Sequence, residues 1–238
     1  MWWKKNRQKR PFVSAVLPAA GSSTRMGAET NKLLMELDGI PILARTLLVF
    51  ERCEMVDEIV IACREGDILS YARLCEAFGI SKVSQIVRGG DSRSESVLCG
   101  VKACAAHTDF VAIHDAARPL LQQKDLEQVI QDAEEYGAAC LVVPMKDSVK
   151  RIEGGLIAGD VERASLAAAQ TPQVFERKKI QQALELVQSR GMAPTDDCAA
   201  AEFSGIRVFA TQGDYTNIKV TTPEDLVVAE AFLREAEE

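Results

Sequence analysis

Arg25 and Lys32 stand seven positions apart, directly behind a loop of small residues, Pro18-Ala19-Ala20-Gly21, that follows the apolar run 12–17. A strand ending in a loop without bulky side chains lets backbone N–H groups of Ala19, Ala20 and Gly21 approach an anion closely. Two cations behind such a loop can grip a polyphosphate from the side, and the arrangement predicts a nucleoside triphosphate. Two solvated surface cations are the alternative for Arg25 and Lys32 taken singly. A second loop, Gly89-Gly90-Asp91-Ser92, leads into a helix in which Ser96 sits one turn inside. Adjacent glycines admit a flat ligand against the backbone, and Ser96 is placed to reach a base edge. A plain turn closed by a capping box is the alternative there.

A third cluster, His114-Asp115-Ala116-Ala117-Arg118-Pro119, follows the apolar run 110–113. Open α/β sheets place their ligands at the carboxyl ends of parallel strands. Asp115 is therefore a candidate for the magnesium that accompanies nucleotide phosphates, or else a capping carboxylate paired with Arg118. Lys219 lies between Ile218 and Val220 in a segment, 217–221, that reads as a short strand before a capped helix. From there it can point into the same cleft as Arg25 and Lys32.

The elements that must hold these residues alternate along the chain. Strands are expected over 12–17, 58–62, 84–87, 110–113, 138–143 and 206–210, and helices over 42–53, 67–78, 93–105, 124–136, 177–189 and 226–233. The succession implies one α/β domain whose mostly parallel sheet is covered by helices on both faces. Ser92 with Glu95 fits a capping box, and Thr222-Pro223-Glu224-Asp225 supplies a cap, a proline at the first helical position and early acids. Residues 146–169 break the alternation: Glu153-Gly154-Gly155 and Gly159-Asp160 mark turns in a hairpin with little apolar surface. An isolated hairpin is marginal in water, so this arm packs either on a partner subunit, giving a homodimer, or back on its own domain.

Bulk properties bound the rest. The 238 residues carry a formal net charge of −7, which argues against nucleic acid as a partner. Seven cysteines, at 53, 63, 75, 99, 104, 140 and 198, include no Cys-x-x-Cys pair, and a reducing cytoplasm is the expected setting. The basic start is followed by an apolar run that Ser14 and Pro18 break, too short for a secretory signal. Residues 1–11 read as a disordered basic tail before a domain over 12–238. No apolar run is long enough to span a membrane.

Taken in order, these motifs closely resemble the 2-C-methyl-D-erythritol 4-phosphate cytidylyltransferase family, from about residue 12 to 233. Further carriers are Thr171-Pro172-Gln173, Thr195-Asp196-Asp197 and Asn217-Ile218-Lys219-Val220-Thr221. The resemblance implies a Rossmann-like fold and transfer of CMP from CTP to methylerythritol phosphate with magnesium, by in-line attack and release of pyrophosphate. It implies that Arg25, Lys32 and Lys219 stabilise the pentacoordinate α-phosphate. By the same resemblance Ala19, Ala20, Gly21, Gly90, Asp91 and Ser96 hold the nucleotide, and Asp115, Arg118, Thr171, Thr195 and Lys219 line the acceptor pocket. The arm would form a homodimer and carry Ser148 and Arg163 to the partner's substrate phosphate. Ser148 stands where the family pattern has Thr, keeping the hydroxyl. Thr216 precedes Asn217 where relatives can carry a carboxylate, so a second acidic metal ligand is not evident. A polyol-phosphate enzyme of the same scaffold, such as a ribitol 5-phosphate cytidylyltransferase, is the alternative. A dinucleotide-binding oxidoreductase is disfavoured, since Gly21 and Gly27 do not supply Gly-x-Gly-x-x-Gly.

Overall fold

The computed structural model describes residues 10–21 and 31–237. In chain order its strands are β1 (Val13–Ala19), β2 (Glu36–Leu37), β3 (Ile40–Pro41), β4 (Glu58–Cys63), β5 (Val83–Arg88), β6 (Phe110–Ile113), β7 (Ala138–Pro144), β8 (Lys150–Glu153), β9 (Leu156–Asp160), β10 (Ala167–Glu176) and β11 (Phe209–Gln212). Its helices are α1 (Ile42–Arg52), α2 (Ile68–Ala77), α3 (Arg93–Ala103), α4 (Gln123–Tyr136), α5 (Arg177–Ser189), α6 (Asp197–Phe203) and α7 (Pro223–Glu237). Seven strands form one sheet in the order β11-β7-β10-β6-β1-β4-β5, while β2-β3 and β8-β9 are separate two-stranded ribbons.

Alternation along β1 explains why both faces are covered. Ala15, Leu17 and Ala19 point to a core shared with Leu47 and Phe50 of α1, Tyr71 of α2, Val129 of α4 and Ala229 of α7. Val16 points the other way, into a core with Val97 and Val101 of α3, Leu184 of α5 and Ala201 of α6. Successive residues of a strand face opposite sides, so a strand buried on both faces reads as a continuous apolar run. On the second face α3 lies unusually close to β1, because a Cβ at Gly100 would meet Val16 Cγ1 at 2.5 Å. Only glycine permits that approach, and it brings the N-terminus of α3 up against the end of β1.

The sheet is mixed. Strands β4 and β6 flank β1 in parallel, but β10 inserts between β6 and β7 and runs antiparallel to both. No strand was expected over 170–176. Ala167–Ala169 and Gln170 are helix formers and Pro172 demotes a strand, so local reading does not score the segment as β despite Thr171. Pairing of β10 with β7 also shifts register between Ala169 and Gln173, so the alternation that marks a strand is interrupted. A second difference concerns 217–221, expected as a short strand. It joins no ladder; a Val220 N–H bond to the Ala117 carbonyl at 2.8 Å ties it to the loop after β6.

The chain passes from β5 at one edge to β6 on the far side of β1, so the sheet switches winding direction between β1 and β6. Ligands of open α/β sheets bind in the crevice at that switch. Among the described residues, no helix is long and apolar enough to cross a membrane. All seven cysteines are free thiols.

Candidate active site

Two cavities open at the carboxyl ends of β1 and β6. The first, about 410 Å³, is lined by the Pro18–Gly21 turn, Lys32, the Gly90–Arg93 turn, Ser96, Asp115–Ala117, Lys219 and Thr221. The second, about 250 Å³, is lined by Arg118, Gln170, Thr171, Gln173, Thr195 and Asp196. Arg93, Asp115 and Lys219 line both, so these three side chains form the wall between them.

Each wall residue is placed by its element. Arg93 is the first residue of α3, whose capping box (Ser92 hydroxyl to the Glu95 N–H, Glu95 carboxylate to the Ser92 N–H) sets the angle of entry. Gly90 is needed there because a Cβ would fall 2.3 Å from Glu95 Cβ. Asp115 follows β6 by two residues and collects three cations: Lys219 Nζ at 2.9 Å, Arg93 Nε at 3.2 Å and Arg118 Nε at 3.5 Å. Burial alone would raise its carboxyl, but the charges of Arg93, Lys219 and Arg118 overcome that and hold it well below the usual carboxylate range. It is an anion at any working pH. Arg118 also donates to the Asn217 carbonyl at 2.6 Å, which stitches the loop after β6 to the segment carrying Lys219.

Lys32 reaches the cavity from the opposite side and donates to the Val220 carbonyl at 3.1 Å. The segment before it is pinned by Asn31, whose Oδ1 accepts from the Leu33 N–H and whose amide donates to Asp67 and to the buried Tyr71 hydroxyl. Ser96 is buried, and its hydroxyl lies 2.9 Å from the Ser92 carbonyl and 3.3 Å from that of Gly90. Its proton is committed to the loop, while its lone pairs remain able to accept from a ligand.

The second cavity rests on a buried polar floor. His114 is fully buried, and its Nε2 lies 3.1 Å from the Arg118 carbonyl, which can only accept. Nε2 therefore carries the proton, and Nδ1 accepts from the Thr171 hydroxyl at 3.0 Å. That hydroxyl in turn accepts from the Asp115 N–H at 3.1 Å. Burial, the largest influence, depresses the imidazole to about 4, so it is neutral here. Asn217 donates to Gln170 Oε1 and to the Thr171 carbonyl, and Gln173 donates to Asp196.

Of the residues expected to carry function, the first cavity gathers Ala19, Ala20, Gly21, Lys32, Gly90, Asp91, Ser96, Asp115 and Lys219, and the second gathers Arg118, Thr171 and Thr195 with Asp115 and Lys219. Arg25 lies outside the described residues. Ser148 and Arg163 line neither cavity; both are exposed near the β8-β9 ribbon, where Arg163 donates to the Lys146 carbonyl at 2.8 Å. Sequence reading passed over Arg93, Gln170, Gln173 and Asp197. Arg93 had a visible signal, as the first residue of a capped helix after a Gly-Gly turn, but its carboxylate partners come from distant segments.

A family model described as 2-C-methyl-D-erythritol 4-phosphate cytidylyltransferase matches residues 13–235. The chain belongs to that family. It is thus a nucleotidyltransferase of the non-mevalonate isoprenoid pathway. A 2-C-methyl-D-erythritol 4-phosphate cytidylyltransferase of Bacillus licheniformis is 43% identical over 218 residues, covering 92% of this chain and 94% of the relative. The crystal structure of the 4-diphosphocytidyl-2C-methyl-D-erythritol synthase from Anaerococcus prevotii superimposes with a TM-score of 0.84 at 29% identity, over 94% of this chain and 96% of that one. The cytidylyltransferase from Thermus thermophilus gives 0.75 at 28% identity, over 94% and 99%. Membership of a cytidylyltransferase family agrees with a cleft at the switch point lined by small residues, Lys32, Arg93 and Lys219 rather than with a dinucleotide site.

Proposed function

We propose that the two cavities hold the two substrates of cytidylyl transfer, CTP on the side of the Ala19–Gly21 turn and 2-C-methyl-D-erythritol 4-phosphate on the side of Thr171, with the α-phosphorus between them at the shared wall. The observation that carries this reading is that Lys219 and Asp115 face both cavities. The acceptor phosphate attacks the α-phosphorus in line and pyrophosphate leaves, so 4-diphosphocytidyl-2-C-methyl-D-erythritol forms without a covalent enzyme intermediate. Such a reaction asks for positioning and charge neutralisation rather than a nucleophile.

In this reading the N–H groups of Ala19, Ala20 and Gly21 take phosphate oxygens, and Gly90 and Asp91 border the base. The Ser96 lone pairs accept from the exocyclic amino group of cytosine, a donor that uracil lacks. Lys32 and Lys219, with Arg25, neutralise charge on the pentacoordinate phosphorus. Arg118, Thr171 and Thr195 bind the polyol phosphate. Among the described residues no three metal-capable side chains cluster, so the donor set fits no resident ion. A magnesium that enters on the triphosphate and keeps its waters would have Asp115 as a carboxylate ligand by sharing an oxygen that Arg93 or Lys219 already holds. Such an ion adds neutralisation of the triphosphate charge.

Residues 146–169 serve as a dimerisation arm on the domain 12–238. Ile152, Leu156 and Ile157 are 58%, 75% and 70% exposed on the β8-β9 ribbon, apolar surface that a second subunit would cover. Ser148 and Arg163 then reach the partner's acceptor cavity. Seven free thiols suit a reducing cytoplasm.

Pyrophosphate release from CTP tests the core of the reading. Lys32→Ala lowers kcat by roughly 10²–10³, as loss of one preorganised charge donor does; unchanged release would end the catalytic assignment. Supplying ribitol 5-phosphate in place of methylerythritol phosphate should give little turnover.

A further inference from the structure

Asp197 lines neither cavity and has no part in the mechanism above, yet it holds the side chain that separates them. It is fully buried at the start of α6. Its Oδ2 accepts from Arg93 Nη2 at 2.9 Å, while its Oδ1 has no partner among the described residues. Burial pushes its carboxyl up, and the Arg93 guanidinium works against that. A buried carboxylate with one idle oxygen is costly, and well-packed apolar residues often serve stability as well as a buried ion pair does. A role beyond packing is therefore the thing to look for.

The oxygens of Asp115 supply it. Arg93 Nε holds Oδ1 at 3.2 Å, and Lys219 Nζ meets Oδ2 at 2.9 Å. A carboxylate can turn about its Cβ–Cγ bond, so a fixed guanidinium on Oδ1 keeps Oδ2 turned toward Lys219. Arg93 is itself a long side chain, 30% exposed at the cavity wall, and the second carboxylate anchors it. A planar guanidinium that bridges two carboxylates, Nε on Asp115 and Nη2 on Asp197, is fixed in direction as well as charge.

We propose that Asp197 is a positioning residue: by locking Arg93 against Asp115, it sets where Asp115 presents the Lys219 ammonium to the phosphoryl group in transfer. The proposal rests on the catalytic assignment of Lys219 made above. A double-mutant cycle on the full chain separates the two claims. Asp197→Asn lowers kcat by about 10- to 100-fold, the scale of a small misplacement of a reacting group, and leaves the KM for CTP within about twofold. In a Lys219→Ala background, itself strongly impaired, the same change costs less than about threefold, because the group it positions is gone. Equal losses in both backgrounds, or full turnover by Asp197→Asn, would overturn the positioning role while leaving Lys219 in place. Full turnover by Lys219→Ala would overturn both. Should Asp197→Asn lack a cooperative urea transition, Arg93→Lys runs the same cycle, since an ammonium keeps the charge but loses the planar bridge between Asp197 and Asp115.

Discussion

The two sides of the Arg93–Asp115–Lys219 wall are built in different ways. The first cavity, which we propose takes the nucleotide and call the nucleotide side, uses backbone and small residues from short contiguous segments, Pro18–Gly21 and Gly90–Arg93, each at the end of a parallel strand. The second cavity, proposed for the acceptor and called the acceptor side, uses side chains of Gln170, Thr171 and Gln173, which come from one antiparallel strand inserted into the sheet, together with Thr195 and Asp196 before α6. Backbone N–H groups at strand ends suit the triphosphate of any nucleotide, and Ser96 is left to read the base. The second cavity is instead a pocket of interlocked side chains. One cavity is thus built from local turns and the other from a tertiary network.

This contrast can be broken most severely through His114, on the acceptor side. With the native imidazole depressed to about 4 from an ordinary 6.5, the unfolded chain binds the extra proton between those values. The contribution is therefore fully present above about pH 6.5 and is lost as pH falls toward 4, to a limit on the order of 3 kcal/mol. Urea unfolding at pH 7 and pH 4.5 should show a shallower pH slope for His114→Asn than for the unaltered chain; equal slopes would remove His114 as the cause.

The nucleotide side depends instead on one close approach of backbone to strand. Gly100→Ala drives a methyl into Val16 and destabilises by about 1–2 kcal/mol, after allowing for the better helix propensity of alanine. Adding Val16→Ala to that variant should recover part of the loss in a urea titration, and failure to do so would show that the contact is not the reason for glycine. The smallest effect sharpens the comparison most. Thr171→Val leaves the Asp115 N–H and His114 Nδ1 unpaired, raising the KM for methylerythritol phosphate about tenfold while the KM for CTP stays within about twofold. Parallel changes in both KM values would mean that the two sides are not separately built.

The same division governs what could be read in advance. Alternating apolar runs and helical periods placed β1, β4, β6 and β7 and the helices α1 to α5 near their observed positions, because a doubly covered parallel sheet needs continuous apolar strands. The turns after β1 and β5 and the carboxylate after β6 were legible as neighbours of one cavity for a related reason: each is a short contiguous segment at a strand end. Strand β10 was not legible, since its alanines and Pro172 carry no local β signal and its place depends on pairing with β6 and β7.

By its own order of residues the chain specified the covered sheet, the small-residue loop after β1 and the positions of Lys32 and Lys219 beside it. Tertiary structure alone decided that Arg93 stands between Asp115 and Asp197, residues 22 and 104 positions away, and that Lys219 shares a carboxylate with it. The physical reason is that an ion pair's partner is set by distance in space. Side chains that meet only through the sheet's crossings leave no periodic mark in the sequence.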